Sequence, residues 1–255
     1  MNLSPDHIER HKTFNNYIKA KFKLIKNQSV KDFSFLKKND NLILMQLKKY
    51  KIKSKIIKVD KKKIKRFLKK VDNNYFKTET NKENLSFVLE IIKKFKIKRD
   101  LLNKTIKNFK GLKYRQQIIF KKKNLTVIND SKSTSFSSSI DLLKIDNNIY
   151  WLLGGIHKKG DKFNLPKKYF KNIKAFIYSK NKSFFIKKLK GKIKYDNSNN
   201  LKDAIRKVFK AFKKHKLKKQ TILFSPCAAS FDNFKNFEDR GFYFNKIVKK
   251  YLNGI

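Results

Sequence analysis

Residues 125–139 read Leu-Thr-Val-Ile-Asn-Asp-Ser-Lys-Ser-Thr-Ser-Phe-Ser-Ser-Ser (LTVINDSKSTSFSSS). A short apolar run enters a polar turn, and the turn leads into a helix start. At the junction stand an acid (Asp130), a cation (Lys132) and the hydroxyls of Ser131, Ser133, Thr134 and Ser135. Free N–H groups at a helix N-terminus attract anions, and a lysine with hydroxyls sharpens that into a phosphate or carboxylate site. An aspartate ending a parallel strand is placed to hold a sugar hydroxyl or a metal. A Ser/Thr helix cap beside a solvated lysine is the plainer alternative for this stretch taken alone.

The surrounding sequence decides the fold. Leu125–Ile128, Ile149–Leu153, Ala175–Tyr178 and Thr221–Phe224 are apolar without alternation, the pattern of strands buried on both faces of a parallel sheet. Helical stripes lie between and after them: Leu201, Ile205, Val208, Phe209 and Phe212, then Phe244, Ile247, Val248, Tyr251 and Leu252. Alternating strands and helices predict a doubly wound α/β sheet, which binds ligands beyond its strand carboxyl ends. The unusual residues cluster at those ends: Asp130–Thr134, then Gly154-Gly155-Ile156-His157-Lys158, then Ser225–Ser230, read as a turn of small residues opening a helix. Three anion-friendly ends in one crevice point to a small acidic substrate, an amino acid or a nucleotide phosphate.

Before Gly111 the pattern differs. Asn2–His7 reads as a strand end and a helix start. Phe14–Ile25 is helical with Lys21 set in the face of Tyr17, Ile18 and Ile25. Asn41–Leu47 and Ser54–Val59 read as strands, Leu85–Ile97 as a helix, and a further helix runs to about Phe109. We therefore expect a boundary between 1–110 and 111–255.

Composition narrows the class. The 255 residues carry 40% hydrophobic and 14% aromatic side chains, enough for a core despite 34% charged. Net charge is +48 and the pI is near 10.3, which raises a non-catalytic nucleic-acid or polyanion-binding protein as the alternative reading. Against it, arginine occurs only at 10, 66, 99, 115, 206 and 240, and the lysines are spread over every polar face. No specific nucleic-acid partner is expected, and polyanion binding would betray itself by a steep loss with salt.

Cys227, the single cysteine, excludes an internal disulfide and fits a reducing cytoplasm; its plain reading is a small buried side chain. No signal peptide opens the sequence, and no apolar run approaches the roughly 20 residues of a membrane span. One cysteine and four scattered histidines exclude zinc spacing. His7 and His11 stand four apart, as helical metal pairs do, but the flanking Arg10 and Lys12 favour a solvated pair. No GxxxxGK[ST] or GxSxG occurs.

Together the motifs resemble the Mur ligase family. Asn129–Thr134, Leu152-Leu153-Gly154-Gly155 with Lys158, and Ser225–Ser230 followed by FDNFKNFEDRG (231–241) are similar to its C-terminal domain. The last block matches the member that adds D-glutamate. Leu3–His11 and Tyr17–Lys21 resemble the later part of the central ATPase domain. The resemblance implies an α/β chain: a partial central ATPase domain (1–110) followed by a Rossmann-like C-terminal domain (111–255). It implies an ATP- and Mg2+-dependent ligase that joins D-glutamate to UDP-N-acetylmuramoyl-L-alanine through an acyl phosphate, in cytoplasmic peptidoglycan synthesis.

Carried over by motif, His7 resembles a magnesium-site histidine and Lys21 the lysine that the family carbamylates to support the metal. Asn84 resembles an adenine-contacting asparagine, and Arg115 and Asp130 resemble ATP phosphate and ribose contacts. Lys132, Thr134, Lys158, Ser230, Phe231 and Phe237 match the neighbourhood that receives D-glutamate. Tyr114 departs from the histidine common before the arginine. The UDP-binding domain and P-loop have no counterpart in these residues, so we expect a fragment, or a half completed by a complementing N-terminal chain.

Overall fold

The computed structural model describes residues 1–255 apart from 2, 4–7, 69–72, 123, 146–147, 215–218 and 254–255. Of the expected strand end and helix start over 2–7, Leu3 alone is described and is buried; the rest, His7 included, lies outside the described residues. The chain divides into two compact units, Met1–Phe109 and Lys110–Ile255.

In the first unit, α1 (Ile8–His11) precedes α2 (Phe14–Lys26), which starts where Thr13 Oγ1 accepts the Asn16 N–H at 3.1 Å and buries Ile18, Phe22 and Ile25. Strands β1 (Phe33–Lys37) and β2 (Lys55–Val59) pair in parallel, with α3 (Asn41–Lys49) between them. The strand expected at Asn41–Leu47 is thus corrected to a helix. Asp40 caps it, its carboxylate accepting from Leu42 and Ile43 N–H, and Ile43 is its buried contact. A short apolar run fits either period, and here the parallel crossover demands a helix. Helices α4 (Ile64–Leu68), α5 (Glu79–Lys94) and α6 (Arg99–Asn108) follow, joined through Ile64, Phe76, Leu85 and Ile106.

The second unit contains β3 (Gln117–Lys122), β4 (Leu125–Asn129), α7 (Phe136–Ser139), β5 (Ile149–Leu153), β6 (Ile173–Ile177), α8 (Ser183–Leu189), β7 (Lys194–Asn197), α9 (Leu201–Lys214), β8 (Gln220–Phe224) and α10 (Phe237–Leu252). The sheet runs β3-β4-β8-β5-β6-β7, with β3 antiparallel and the rest parallel. All four expected apolar strands form, within two residues. The edge strands β3 and β7 carry lysines that mask apolar periodicity, as edges exposed to water do.

Alternate side chains of each central strand feed opposite cores. Ile128, Trp151, Leu153, Ala175 and Leu223 pack with Phe136, Leu143 and Phe185. On the other face, Val127, Leu152, Phe176, Ile222 and Phe224 pack with Ile205, Val208, Phe209, Phe244 and Val248. The connections leaving β4, β5 and β6 cover the first face; α9 and α10, flanking β8, cover the second. The sheet is doubly wound as expected. Connections from neighbouring β4 and β8 leave to opposite sides, so the switch point at which doubly wound sheets carry their ligand crevice lies beyond their carboxyl ends.

α10 begins at Phe237, two turns before the expected stripe. Asn236 Oδ1 accepts the Asp239 N–H at 2.8 Å, and Glu238 and Asp239 fill the first turn. Asn236→Ala is expected to lower stability by about 1 kcal/mol, read as a shift of the urea midpoint at unchanged slope. Among the described residues no helix is long and apolar enough to cross a membrane.

Candidate functional site

The crevice at the β4–β8 junction is built from buried polar groups. Asp130, directly after β4, is 5% exposed. Its Oδ2 accepts the Ser225 hydroxyl at 2.7 Å and its Oδ1 the Gln116 N–H at 3.0 Å. Burial pushes its pKa up to about 7, against the pull of those two bonds and of the Arg115 and Arg240 charges. The Ser225 hydroxyl lies 2.5 Å from that of Ser139, which in turn lies 2.9 Å from both the Ser133 hydroxyl and the Cys227 sulfur. Cys227 is buried, as its plain reading had it, and burial pushes its thiol up. Its φ of 58° is an uncommon left-handed conformation for a side-chain-bearing residue.

The hydroxyl-rich turn is less open than its sequence implies. Ser131 N–H donates to Asn129 Oδ1, Lys132 N–H to the Tyr114 carbonyl and Ser133 N–H to the Asp130 carbonyl. At α7 the Phe136 N–H donates at 2.8 Å to Asp161, a carboxylate of the protein itself. The anion site expected at this helix start is therefore corrected: the chain satisfies those N–H groups internally, as buried backbone must be. A second correction concerns Ser225–Ser230, which opens no helix; α10 starts seven residues after Ser230. The segment instead bridges back to the loop after β5, with Ile156 and Ala229 exchanging backbone bonds of 3.0 and 2.8 Å.

What remains at the mouth is side chains. Lys132 is half-buried, with Nζ 3.7 Å from the centre of the Phe237 ring, a contact that orients the ammonium while leaving its protons for a ligand. Thr134 and Lys158 are half-buried, and the Lys158 charge bears on Asp161, whose carboxyl burial pushes upward. Next to Lys158, the His157 ring stacks on Phe184 at 3.8 Å. Ser230 is buried, its carbonyl accepting from Asn233 and Phe234 N–H, while Phe231 is 70% exposed. Arg115 is exposed, and the Tyr114 ring lies against Gly241, where a Cβ would stand 2.4 Å from it.

In the first unit, Lys21 is half-buried with Nζ 5.2 Å from the Tyr17 ring centre, so the helix face that holds it is partly wet. Asn84 is exposed on α5. Among the described residues no three His, Cys, Asp or Glu gather as a metal ion would need.

Sequence reading gave Arg240 no role. It is fully buried. Its Nη2 donates to the Ser131 and Ala228 carbonyls at 2.7 and 2.9 Å, its Nε to Ser131 Oγ at 3.1 Å, and its Nη1 reaches the Gly154 carbonyl at 3.5 Å. The signal was present: Arg240 stands four residues before Phe244 and eight before Val248, on the buried stripe of α10.

Comparison with known proteins shows what this chain is similar to. Residues 1–104 match the Mur ligase middle domain, and similarity to curated Mur ligases runs on through the second unit. The curated relatives it matches include UDP-N-acetylmuramoylalanine–D-glutamate ligases. That of Wolbachia sp. subsp. Brugia malayi is 32% identical over 98% of this chain and 52% of the relative. That of Rickettsia felis is 30% identical over 100% and 61%, and that of Francisella tularensis subsp. novicida 33% over 97% and 58%. The chain thus spans about half to three fifths of their length. In fold, it is similar to the MurF ligase of Thermotoga maritima solved in complex with ADP (TM-score 0.65, 14% identity, 98% of this chain and 61% of that one). MurF of Acinetobacter baumannii gives a TM-score of 0.64 at 13% identity, over 89% and 55%.

Proposed function

We propose that this chain is part of an ATP-dependent ligase that joins D-glutamate to UDP-N-acetylmuramoyl-L-alanine in cytoplasmic peptidoglycan synthesis. The observation that carries the reading is the β4–β8 crevice with Lys132 poised over Phe237, in a chain similar along its length to D-glutamate ligases. In the proposed reaction the substrate carboxylate attacks the γ-phosphorus of ATP and ADP leaves. The amine of D-glutamate then attacks the acyl carbon, a proton is lost from nitrogen and phosphate departs. The ADP in the Thermotoga neighbour supports an adenine nucleotide as phosphate donor.

In this reading Lys132, Thr134, Lys158 and the turn Ser230–Phe237 with Phe231 receive the two carboxylates of D-glutamate, where fixed cations offset their charge. Arg115, Asp130 and Asn84 serve the nucleotide. Asp130 would do so by holding Gln116 and Ser225 in place, since both its oxygens already accept bonds. Lys21 is the described member of a proposed magnesium set that also includes His7; an ion held there would offset charge on the phosphate oxygens. The sequence holds no GxxxxGK[ST], so a cradle for the γ-phosphate has to come from outside these residues.

Calorimetric titration of the chain with D-glutamate tests the reading. Binding is expected for D-glutamate and not L-glutamate, and Lys132→Ala should weaken it about 10- to 100-fold, the loss of one charge-assisted contact. A folded chain that takes up neither enantiomer would sink it.

A further inference from the structure

We propose that Arg240 is a positioning residue of this site: one buried guanidinium fixes the loops after β4, β5 and β8 relative to each other. The proposal rests on the D-glutamate reading above for the ligand, and on geometry for the clamp. The hydrogen-bond partners of Arg240 are three carbonyls and a hydroxyl, drawn from Ser131, Gly154 and Ala228. Those residues sit in the three loops that carry Lys132, Lys158 and Ser230. Ser131 adds a further tie, its hydroxyl donating at 2.9 Å to the Phe237 carbonyl beneath the Lys132 contact.

A helix stripe that needed only packing would be served by Leu or Met at position 240, because burying a charge costs more than burying an aliphatic chain. An arginine is worth that cost where a planar fork must reach several acceptors at fixed angles, which a lysine cannot do. The loops are shaped to it. Gly155 leaves room where a Cβ would come within 3.1 Å of Nη1, and Ala228 and Ala229 line the same approach. The guanidinium also places a fixed positive charge under the crevice. Its field opposes the upward push that burial exerts on the carboxyls of Asp130 and Asp232, and the same field favours an anionic ligand.

The test compares wild type with Arg240→Lys in the full chain, by hydrogen exchange of the three loops and by calorimetric binding of D-glutamate. The clamp predicts that exchange at 130–134, 154–158 and 228–232 rises together, at least 10-fold, while β4, β5 and β8 stay protected. It also predicts that the dissociation constant for D-glutamate rises at least 10-fold. Faster exchange confined to the start of α10, with the other loops and the affinity unchanged, would show packing alone and overturn the proposal. If Arg240→Lys does not fold, Ser131→Ala removes one acceptor and the Phe237 tie. It should then loosen the same three loops about 3-fold, and exchange unchanged from wild type overturns the clamp. If wild type itself binds no D-glutamate, the functional reading fails, and the exchange result still decides the clamp.

Discussion

Gly155→Ala is expected to destabilise the second unit by about 3–5 kcal/mol, the sum of overpacking and backbone strain. The residue sits at φ +126°, and a Cβ built there would stand 2.3 Å from the Ala229 carbonyl oxygen. That oxygen is the partner of the Ile156 N–H, in the bridge joining the loops after β5 and β8, and so cannot retreat cheaply. Gly160→Ala is the control. Its φ is +76° but nothing lies within 4 Å of the added carbon, so it should lose only about 1–2 kcal/mol of left-handed strain. Urea unfolding followed by the fluorescence of Trp151, the single and fully buried tryptophan, reads both. Equal losses in the two variants would mean that the bridge yields and that the close approach is not what the glycine serves.

The second large effect is on pH. The Asp130 carboxyl is raised in the folded chain from 3.8 to about 7. Its folded state therefore holds a proton that the unfolded chain has already released. The stabilisation this gives is complete below pH 3.8 and is lost as pH rises through 7. About three pH units correspond to about 4 kcal/mol, of which about 2–3 kcal/mol should disappear between pH 5 and pH 8. Asp130→Asn removes that dependence while keeping an oxygen for the Gln116 N–H. Its amide would face Ser225, whose hydroxyl can turn to accept it and donate instead to Ser139, 2.5 Å away. The variant should therefore overtake wild type in stability as pH rises from 5 to 8. The difference between the two proteins isolates this group, because Asp161 and Asp232, also raised by burial, titrate in both. Parallel stability curves across that range would mean that Asp130 is ionised in the folded chain.

Much of the second unit is written in local sequence. Strands buried on both faces are apolar at every position, so Leu125–Ile128, Ile149–Leu153 and Thr221–Phe224 declare themselves, and the stripes of α9 and α10 follow from helical spacing. Local pattern misleads where an element has one wet side or two admissible periods. The lysines of β3 and β7 hide edge strands, and the aliphatic run after Asp40 becomes a helix only because β1 and β2 run parallel. Similarly, Lys21, set by its spacing in the apolar face of α2, is only half-buried, with its Nζ 5.2 Å from the centre of the Tyr17 ring.

By itself, then, the sequence determined a doubly wound sheet with acid, cation and glycine residues at its strand carboxyl ends, because burial of strands and amphipathic spacing are properties of neighbouring residues. Only the tertiary structure decided which of those polar groups remain available. Hydrogen bonds across 86 to 116 positions, from Asn129 to Asn245, Ser139 to Ser225 and Arg240 to Ser131, occupy the side chains of those residues, and the Arg240 Nη2 bond takes the Ser131 carbonyl as well. The same long-range closure puts Arg240 beneath the crevice and leaves Lys132, over Phe237, at its mouth.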